Sequence, residues 1–227
     1  LLIIGFELNP YDPCVANKMV GGSQMMLCWH VDDMKISHKE VYAVDDMILW
    51  LRHKYEVIMS DGEGKMTVRR GKVHDYLGMT LNFLVLGEVK IDMVQYIESM
   101  VNDFHAFDES DKTALTPAAE HLFQVRDDAP KLSEKLARVF HNFAARGLFA
   151  TKRARPGIHT AIAFLTTRVR EPDEDDWKKL CRMMRYLRGT KNLALTLSGD
   201  EASIIKDVEW WIDGAHTVHS NMCSQTG

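Results

Sequence analysis

Two adjacent carboxylates, Asp32 and Asp33, interrupt a segment that otherwise has the composition of a buried strand. Residues 25–38 read Met-Met-Leu-Cys-Trp-His-Val-Asp-Asp-Met-Lys-Ile-Ser-His. Burying one ionised carboxylate costs roughly several kcal/mol, and two neighbouring carboxylates also repel each other. Such a pair therefore usually accompanies a bound cation or a water-filled cleft, and the first hypothesis is a hairpin whose tip carries two metal ligands.

The alternative is a plain hairpin whose turn happens to contain aspartates, because aspartate is favoured in turns for local hydrogen-bonding reasons. A two-residue hairpin turn, however, usually takes Asn-Gly, Asp-Gly or Gly-Gly, which reach positive φ easily. Asp-Asp is a poor substitute for these pairs. The sequence therefore favours a chemical role for Asp32 and Asp33.

The elements around this segment indicate how it is positioned. Gly, Asn, Pro and Asp residues predict turns over residues 5–18, and the Gly21-Gly22 pair predicts a bend into the strand. Residues 38–55 have apolar side chains three and four positions apart, which predicts an amphipathic helix. We therefore expect a strand hairpin followed by a helix.

Short runs separated by glycines predict a small antiparallel sheet in the next part of the chain. The expected strands are residues 57–59, 66–70, 75–83 and 89–92, and a helix is expected over residues 94–104. Prolines and many charged residues between 106 and 131 predict a linker, so we expect a subdomain boundary at residue 106.

The second half of the chain is predicted to be mainly helical. The expected helices are residues 133–146, 158–168 and 173–187, and strands are expected at 193–197 and 208–213. The third helix has an apolar face with Trp177, Leu180, Met183, Met184 and Leu187. Its opposite face carries Lys178, Arg182 and Arg185.

Charge is distributed unevenly along the 227 residues. The formal net charge is −4, but residues 151–191 carry 11 Lys and Arg against 5 Asp and Glu, a net of +6; the rest, 17 against 27, is −10. A charged stripe is more often a solvated face than a binding site. A surface for a polyanion is favoured by the further cations Lys152, Arg153, Arg155, Arg168 and Arg170.

The four cysteines have no spacing typical of a zinc site. We therefore expect a reduced, intracellular protein that is not secreted. No stretch approaches the roughly 18 apolar residues of a membrane span, so no membrane partner is expected.

Several motifs, in this order and spacing, resemble the reverse transcriptase of copia-type retrotransposons. The His30-Val31-Asp32-Asp33 segment is similar to the Tyr-Val-Asp-Asp box of that family. The other similar segments are Tyr11-Asp12-Pro13-Cys14-Val15, Tyr76-Leu77-Gly78-Met79, Thr116-Pro117-Ala118-Ala119, Lys152-Arg153-Ala154-Arg155-Pro156 and Arg185-Tyr186-Leu187-Arg188-Gly189-Thr190. Trp211-Ile212-Asp213-Gly214-Ala215 resembles the first strand of the ribonuclease H domain that follows in the same polyprotein.

The resemblance implies an α+β fold with three parts. Residues 1–105 would be part of a right-hand polymerase palm, an antiparallel sheet backed by helices. Residues 106–200 would be a mainly helical thumb and connection, and residues 201–227 the start of ribonuclease H. The implied location is a cytoplasmic particle and the nucleus.

The implied chemistry is nucleotidyl transfer with two Mg²⁺ ions, for which carboxylates are suitable oxygen ligands. Asp32, Asp33 and Asp213 would be metal ligands and catalytic residues. The residues expected to contact nucleic acid are His30, Tyr76, Gly78, Lys152, Arg153, Arg155, Lys178, Arg182 and Arg185. The implied partners are an RNA template, a DNA primer, deoxynucleotides and the remaining parts of the polyprotein.

The family pattern also requires a third carboxylate and nucleotide-gripping residues before Leu1, so this chain alone is expected to be inactive. His30 replaces the usual Tyr of the box, and Gly157 and the residues after Asp213 also depart from the family. Two alternatives to the enzyme therefore stay open: a non-catalytic nucleic-acid-binding remnant and a structural remnant of a retroelement.

Overall fold

The computed structural model describes residues 1–56, 64–107 and 112–199, and the backbone of two further short strands. The chain divides into two compact units, Leu1–Arg70 and Gly71–Gly227. None of the helices in the described ranges combines the length and the apolar character that crossing a bilayer requires.

The first unit contains a four-stranded antiparallel sheet whose strand order follows the chain. Its strands are β1 (Glu7–Leu8), β2 (Val15–Val20), β3 (Ser23–His30) and β4 (Asp33–Ser37). The prediction of turns over residues 5–18 is therefore wrong for β1 and the start of β2. Gly, Asn, Pro and Asp indicate where a chain bends, but pairing between strands decides which neighbouring residues become strand. Here β1 pairs with β2, and β2 pairs with β3.

Helix α1 (Val41–Tyr55) covers one face of this sheet and confirms the predicted helix, although it begins three residues later than expected. The interface between α1 and the sheet excludes water. Its buried side chains are Phe6, Ala16, Met25, Leu27, Ala43, Met47 and Leu51. The hydrophobic effect of this interface fixes the hairpin of β3 and β4 relative to α1.

Residues 66–70 form no strand, which corrects the sequence prediction. Contacts with side chains hold this segment instead of backbone hydrogen bonds to a neighbouring strand. The Met66 amide donates to Glu56 Oε1 at 3.0 Å, and Arg70 forms an ion pair with Asp45. The predicted strand at residues 57–59 lies outside the described residues.

The second unit contains another four-stranded antiparallel sheet, again in chain order. Its strands are β5 (Val73–Tyr76), β6 (Met79–Asn82), β7 (Glu88–Asp92) and β8 (Leu195–Ser198). The single strand predicted over residues 75–83 is thus two strands, because Leu77 and Gly78 both have positive φ, at 51° and 74°. Two successive positive φ values form the tight turn that reverses a hairpin.

Four helices accompany this second sheet: α2 (Val94–Asn102), α3 (Glu134–Thr151), α4 (His159–Thr167) and α5 (Glu174–Gly189). All four were predicted, but α3 continues five residues beyond its predicted end, through Gly147. That glycine permits close packing of α3 against α4, since a Cβ at Gly147 would lie 2.6 Å from Ile162 Cδ1.

One hydrophobic core joins α2 to the other three helices. Met100 and Phe104 of the α2 region are buried in the same cluster as Phe140, Leu165 and Met183. The chain therefore divides after Arg70 and not at residue 106, because apolar side chains on both sides of the predicted boundary share one core. The segment 112–131 has no helix, as expected, but Leu122 and Ala129 within it are buried.

The last described elements are β9 (Gly214–Ala215) and β10 (Gln225–Thr226), which pair antiparallel. The strand predicted over residues 208–213 lies outside the described residues.

Candidate functional site

The hairpin between β3 and β4 closes through a two-residue turn. Its register pairs His30 with Asp33, so Val31 and Asp32 are the two turn residues. Asp33 is the first residue of β4. The two carboxylates therefore occupy different backbone positions, and Asp32 alone belongs to the turn.

The tip of this hairpin is exposed to solvent. His30, Asp32 and Asp33 are all exposed, whereas Leu27, three residues before His30, is fully buried. The expectation that the carboxylates interrupt a buried strand is therefore wrong, because the hairpin extends beyond the part of the sheet that α1 covers. Because Asp32 and Asp33 are exposed, their ionised carboxylates pay no desolvation penalty and need no bound cation for the chain to fold. A cation in solution can reach both of them.

Strand alternation assigns each tip residue to a face of the sheet. Trp29 and Ile36 pack with the core on the α1 side. His30 and Asp33, paired across the strands, lie on the opposite face. Asp33 therefore projects from the face that α1 leaves uncovered.

Lys35 lies on the same face of β4 as Asp33. The sequence predicted no role for Lys35, although residues two positions apart in a strand point to the same face. Lys35 Nζ donates to Ser37 Oγ at 2.6 Å, and burial lowers the pKa of this ammonium group. A cation two residues from a carboxylate on one face offsets part of the negative charge of that face.

Asp32 and Asp33 fit one part of a Mg²⁺ site. Carboxylate oxygens are the ligands that this hard cation prefers, and Mg²⁺ usually takes few of them from the protein and more from substrate phosphates and water. Within residues 1–56, 64–107 and 112–199, no group of three His, Cys, Asp or Glu side chains could hold a metal ion. The hairpin tip therefore offers two candidate ligands, and no complete metal site occurs among the described residues.

Val31 has an unusual backbone conformation, with φ at 53°. A β-branched residue rarely enters the left-handed region, because its Cβ then crowds the following carbonyl oxygen. The strain lies directly beside Asp32. The turn is therefore held in this conformation at a local energetic cost.

Replacing Val31 with Asn is expected to raise the free energy of unfolding of the first unit by about 1 kcal/mol, because Asn tolerates the left-handed region. Native-state hydrogen exchange of the β3 and β4 amides measures this change within the first unit. Val31→Ala, which lacks the local hydrogen bonds of Asn, should gain less. A destabilised Val31→Asn variant would contradict the assignment of strain.

The predicted basic residues of α5 lie together in the second unit. Lys178, Arg182 and Arg185 line one cavity of about 300 Å³. Lys178 Nζ donates to Asp175 Oδ1 at 3.1 Å. Hydrogen bonds from Arg126 and Lys178 lower the pKa of Asp175 to about 2, so this carboxylate stays ionised beside the cavity-lining lysine.

The three predicted cations after α3 have different environments. Lys152 is exposed, and Arg153 stacks with its Cζ 3.5 Å from the centre of the Phe149 ring. Arg155 is only 4% exposed, and its guanidinium donates to Thr190 O at 2.9 Å and to Thr190 Oγ1 at 2.7 Å. This placement opposes the predicted phosphate contact for Arg155 and indicates that it ties the end of α5 to the end of α3.

Of the predicted contacts Tyr76 and Gly78, Tyr76 ends β5 and Gly78 is the second residue of the β5–β6 turn. Tyr76 is half-buried, and a Cβ at Gly78 would lie 3.7 Å from Phe149 Cε1. The fold therefore brings Gly78 and Arg153 to the same aromatic ring, although they are far apart in sequence. Asp213 lies outside the described residues.

Comparison with known proteins gives one distant relative. The chain is 26% identical over 196 residues to the retrovirus-related Pol polyprotein from transposon TNT 1-94 of Nicotiana tabacum. The alignment covers 84% of this chain and 14% of the relative, so the chain spans about one seventh of that polyprotein. No family model and no solved structure matches the chain. The similarity extends over most of the chain and supports an origin in a retrotransposon polyprotein.

Proposed function

We propose that this chain is part of the RNA-directed DNA polymerase of a copia-type retrotransposon. The observation that carries the proposal is the β3–β4 hairpin, whose exposed tip presents Asp32 and, on the face away from α1, Asp33. Two accessible carboxylates at a hairpin tip suit a metal-dependent reaction on a large polyanionic substrate.

The distant similarity to a retrovirus-related Pol polyprotein gives independent support, because it extends over most of the chain. The motif order in the sequence leads to the same class of protein. Residues 1–105 are proposed to be palm, although residues 71–105 pack with the helices that follow them. The helical part after residue 106 is proposed to be thumb and connection, and residues 201–227 the start of ribonuclease H with Asp213 as a metal ligand.

Asp32 and Asp33 would hold Mg²⁺ together with ligands from elsewhere in the complete enzyme. When bound, two such ions activate the primer 3′-hydroxyl and neutralise charge on the attacked and leaving phosphate oxygens. The side chain of His30, paired across the hairpin from Asp33, would contact the primer end. Lys35 would offset negative charge on the same face.

The remaining predicted nucleic-acid contacts belong to the second unit. Lys152, Lys178, Arg182 and Arg185 would bind backbone phosphates of the primer–template duplex. Arg153 with Phe149, and Tyr76 with Gly78, would form a second contact surface around the β5–β6 turn.

Primer extension tests the proposal. The purified chain is mixed with an RNA template, a DNA primer, deoxynucleotides and Mg²⁺ and is expected to add no nucleotides. Asp32 and Asp33 are two proposed metal ligands, and no group of three possible ligands occurs among the described residues. The polyprotein that contains the chain should extend the primer and stop when a chelator removes Mg²⁺. Strong extension by the isolated chain would contradict the incomplete site, and no extension by the polyprotein would contradict the polymerase.

A second candidate is a nucleic-acid-binding remnant without catalysis. It is favoured by the cluster of cations around α5, which requires no metal site. Binding would then fall steeply with salt through counterion release, with a slope of about −0.9 in log K per phosphate contact on duplex DNA. Binding that persists in a polyprotein without any polymerase activity would favour this candidate.

A further inference from the structure

A cavity of about 300 Å³ lies between α5 and the segment of residues 112–122. Its titratable lining consists of cations and one histidine: Lys112, Lys178, Lys179, Arg182, Arg185 and His121. No carboxylate lines it among the described residues, but Asp175 and Asp176 pair with Lys178 and Lys179 and offset part of this positive charge. A concave surface with this charge concentrates anions, because the protein walls focus the field.

The cavity has a wall that packing and hydrogen bonds hold in place. Arg182 Nη2 donates to Thr116 Oγ1 at 2.9 Å, and Lys179 Nζ donates to the Gln124 carbonyl at 2.7 Å. Leu122, from the same segment, is only 4% exposed and belongs to the core. The segment is therefore attached to α5 at several points, and the cavity does not depend on a single surface contact.

One donor in this wall lacks a partner. Arg182 Nε is buried and has no hydrogen-bond acceptor among the described residues. Among the described residues the guanidinium of Arg182 has one hydrogen bond, from Nη2 to Thr116 Oγ1, so N–H groups of this cavity-lining side chain remain to donate to an anionic oxygen. The planar guanidinium of arginine also matches the geometry of phosphate oxygens.

We propose that this cavity is a phosphate-binding site in which Arg182 and Lys112 are ligands. The proposal deepens the nucleic-acid-binding part of the proposed function, on which it rests, by naming the ligand and by adding residues 112–122 to the surface. A cavity of about 300 Å³ is far larger than the roughly 10–15 Å³ that a single water requires on the same measure, so a phosphate group with part of its sugar fits.

Titration of the whole chain with inorganic phosphate tests the site, with chloride at equal ionic strength as the reference. The backbone amides of residues 113–116 and 118–122 are followed by NMR. Arg182→Gln is expected to weaken phosphate binding about tenfold or more, because it removes a charge-assisted hydrogen bond. Lys112→Gln, whose side chain has no assigned partner in the described ranges, should weaken it about two- to fivefold.

Lys135→Gln is the matched control, because it removes the same charge from an exposed position on α3 that does not line the cavity. It should leave phosphate binding unchanged. Lys112→Gln also separates binding from folding, because its side chain does not hold the wall together. Equal effects of phosphate and chloride, or equal effects of Lys112→Gln and Lys135→Gln, would overturn the proposal.

An RNA–DNA duplex distinguishes a backbone phosphate from a free phosphate as the ligand. If the backbone is the ligand, the duplex shifts the same amides, phosphate competes with it, and Lys112→Gln lowers the salt slope of duplex binding by about 1. Phosphate binding without duplex binding would support the site and contradict the proposed function. Duplex binding that is unchanged by both Arg182→Gln and Lys112→Gln would support the proposed nucleic-acid binding and overturn the phosphate site.

Discussion

Asp32→Asn is expected to reduce metal-dependent primer extension by the proposed polymerase by at least about 100-fold. A metal ion contributes several kcal/mol of transition-state stabilisation, and each 1.36 kcal/mol is worth about a factor of ten in rate. The amide keeps the shape of the side chain but removes its charge, so it binds Mg²⁺ poorly. Single-turnover extension on an RNA template measures the effect.

The matched control for this prediction is Asp46→Asn, which makes the same chemical change at an exposed position on α1 of the same unit. It should leave extension unchanged. Duplex binding should survive in both variants, because removing a carboxylate charge lowers the repulsion of phosphate and takes away no contact with it. Asp32→Asn activity within tenfold of the parent would rule out this carboxylate as a metal ligand.

Asp176→Ala is expected to destabilise the second unit by about 3–5 kcal/mol, because it removes one partner from a buried ion pair. Asp176 is 1% exposed and accepts from Arg168 Nε at 2.9 Å and from the Asp173 amide at 3.2 Å. Lys179 Nζ lies 3.7 Å away. The change leaves two cations without their main counter-charge and removes one half of the capping box that begins α5.

Glu134→Ala offers a matched control for stability. Glu134 also lies in the first turn of a helix and pairs with an arginine, Arg138, but both side chains are about 80% exposed. An exposed pair of this kind contributes about 0.2–1 kcal/mol. Hydrogen exchange of the α3 and α5 amides measures both variants locally, and equal losses of protection would contradict the role assigned to the buried network.

Some of the cations that give residues 151–191 their positive net charge are occupied by contacts within the fold. Arg168 is paired with Asp173 and Asp176, and Arg155 is buried against Thr190. Neither of these arginines is available to a polyanion. The excess of cations in the sequence therefore overstates the cationic surface, because composition does not distinguish a charge that holds the fold from a charge that faces solvent.

Local patterns in the sequence were sufficient for the helices and for the hairpin that carries Asp32 and Asp33. The buried residues Leu180, Met183, Met184 and Leu187 occupy the predicted face of α5. Their spacing repeats with the helical period, so neighbours along the chain are enough to place them. The adjacency of the two carboxylates and the basic face of α5 were likewise readable without tertiary contacts.

The tertiary structure alone decided which charges are accessible and where the chain divides. The sequence alone does not show that α1 leaves the hairpin tip uncovered. Nor does it show that Arg155 donates to Thr190 or that residues 112–122 line a cavity with α5. Each of these depends on contacts between residues distant in sequence, and burial is a property of the packed assembly. Residue types and local periodicity therefore determined the chemistry available to this protein, whereas long-range packing decided which side chains can use it.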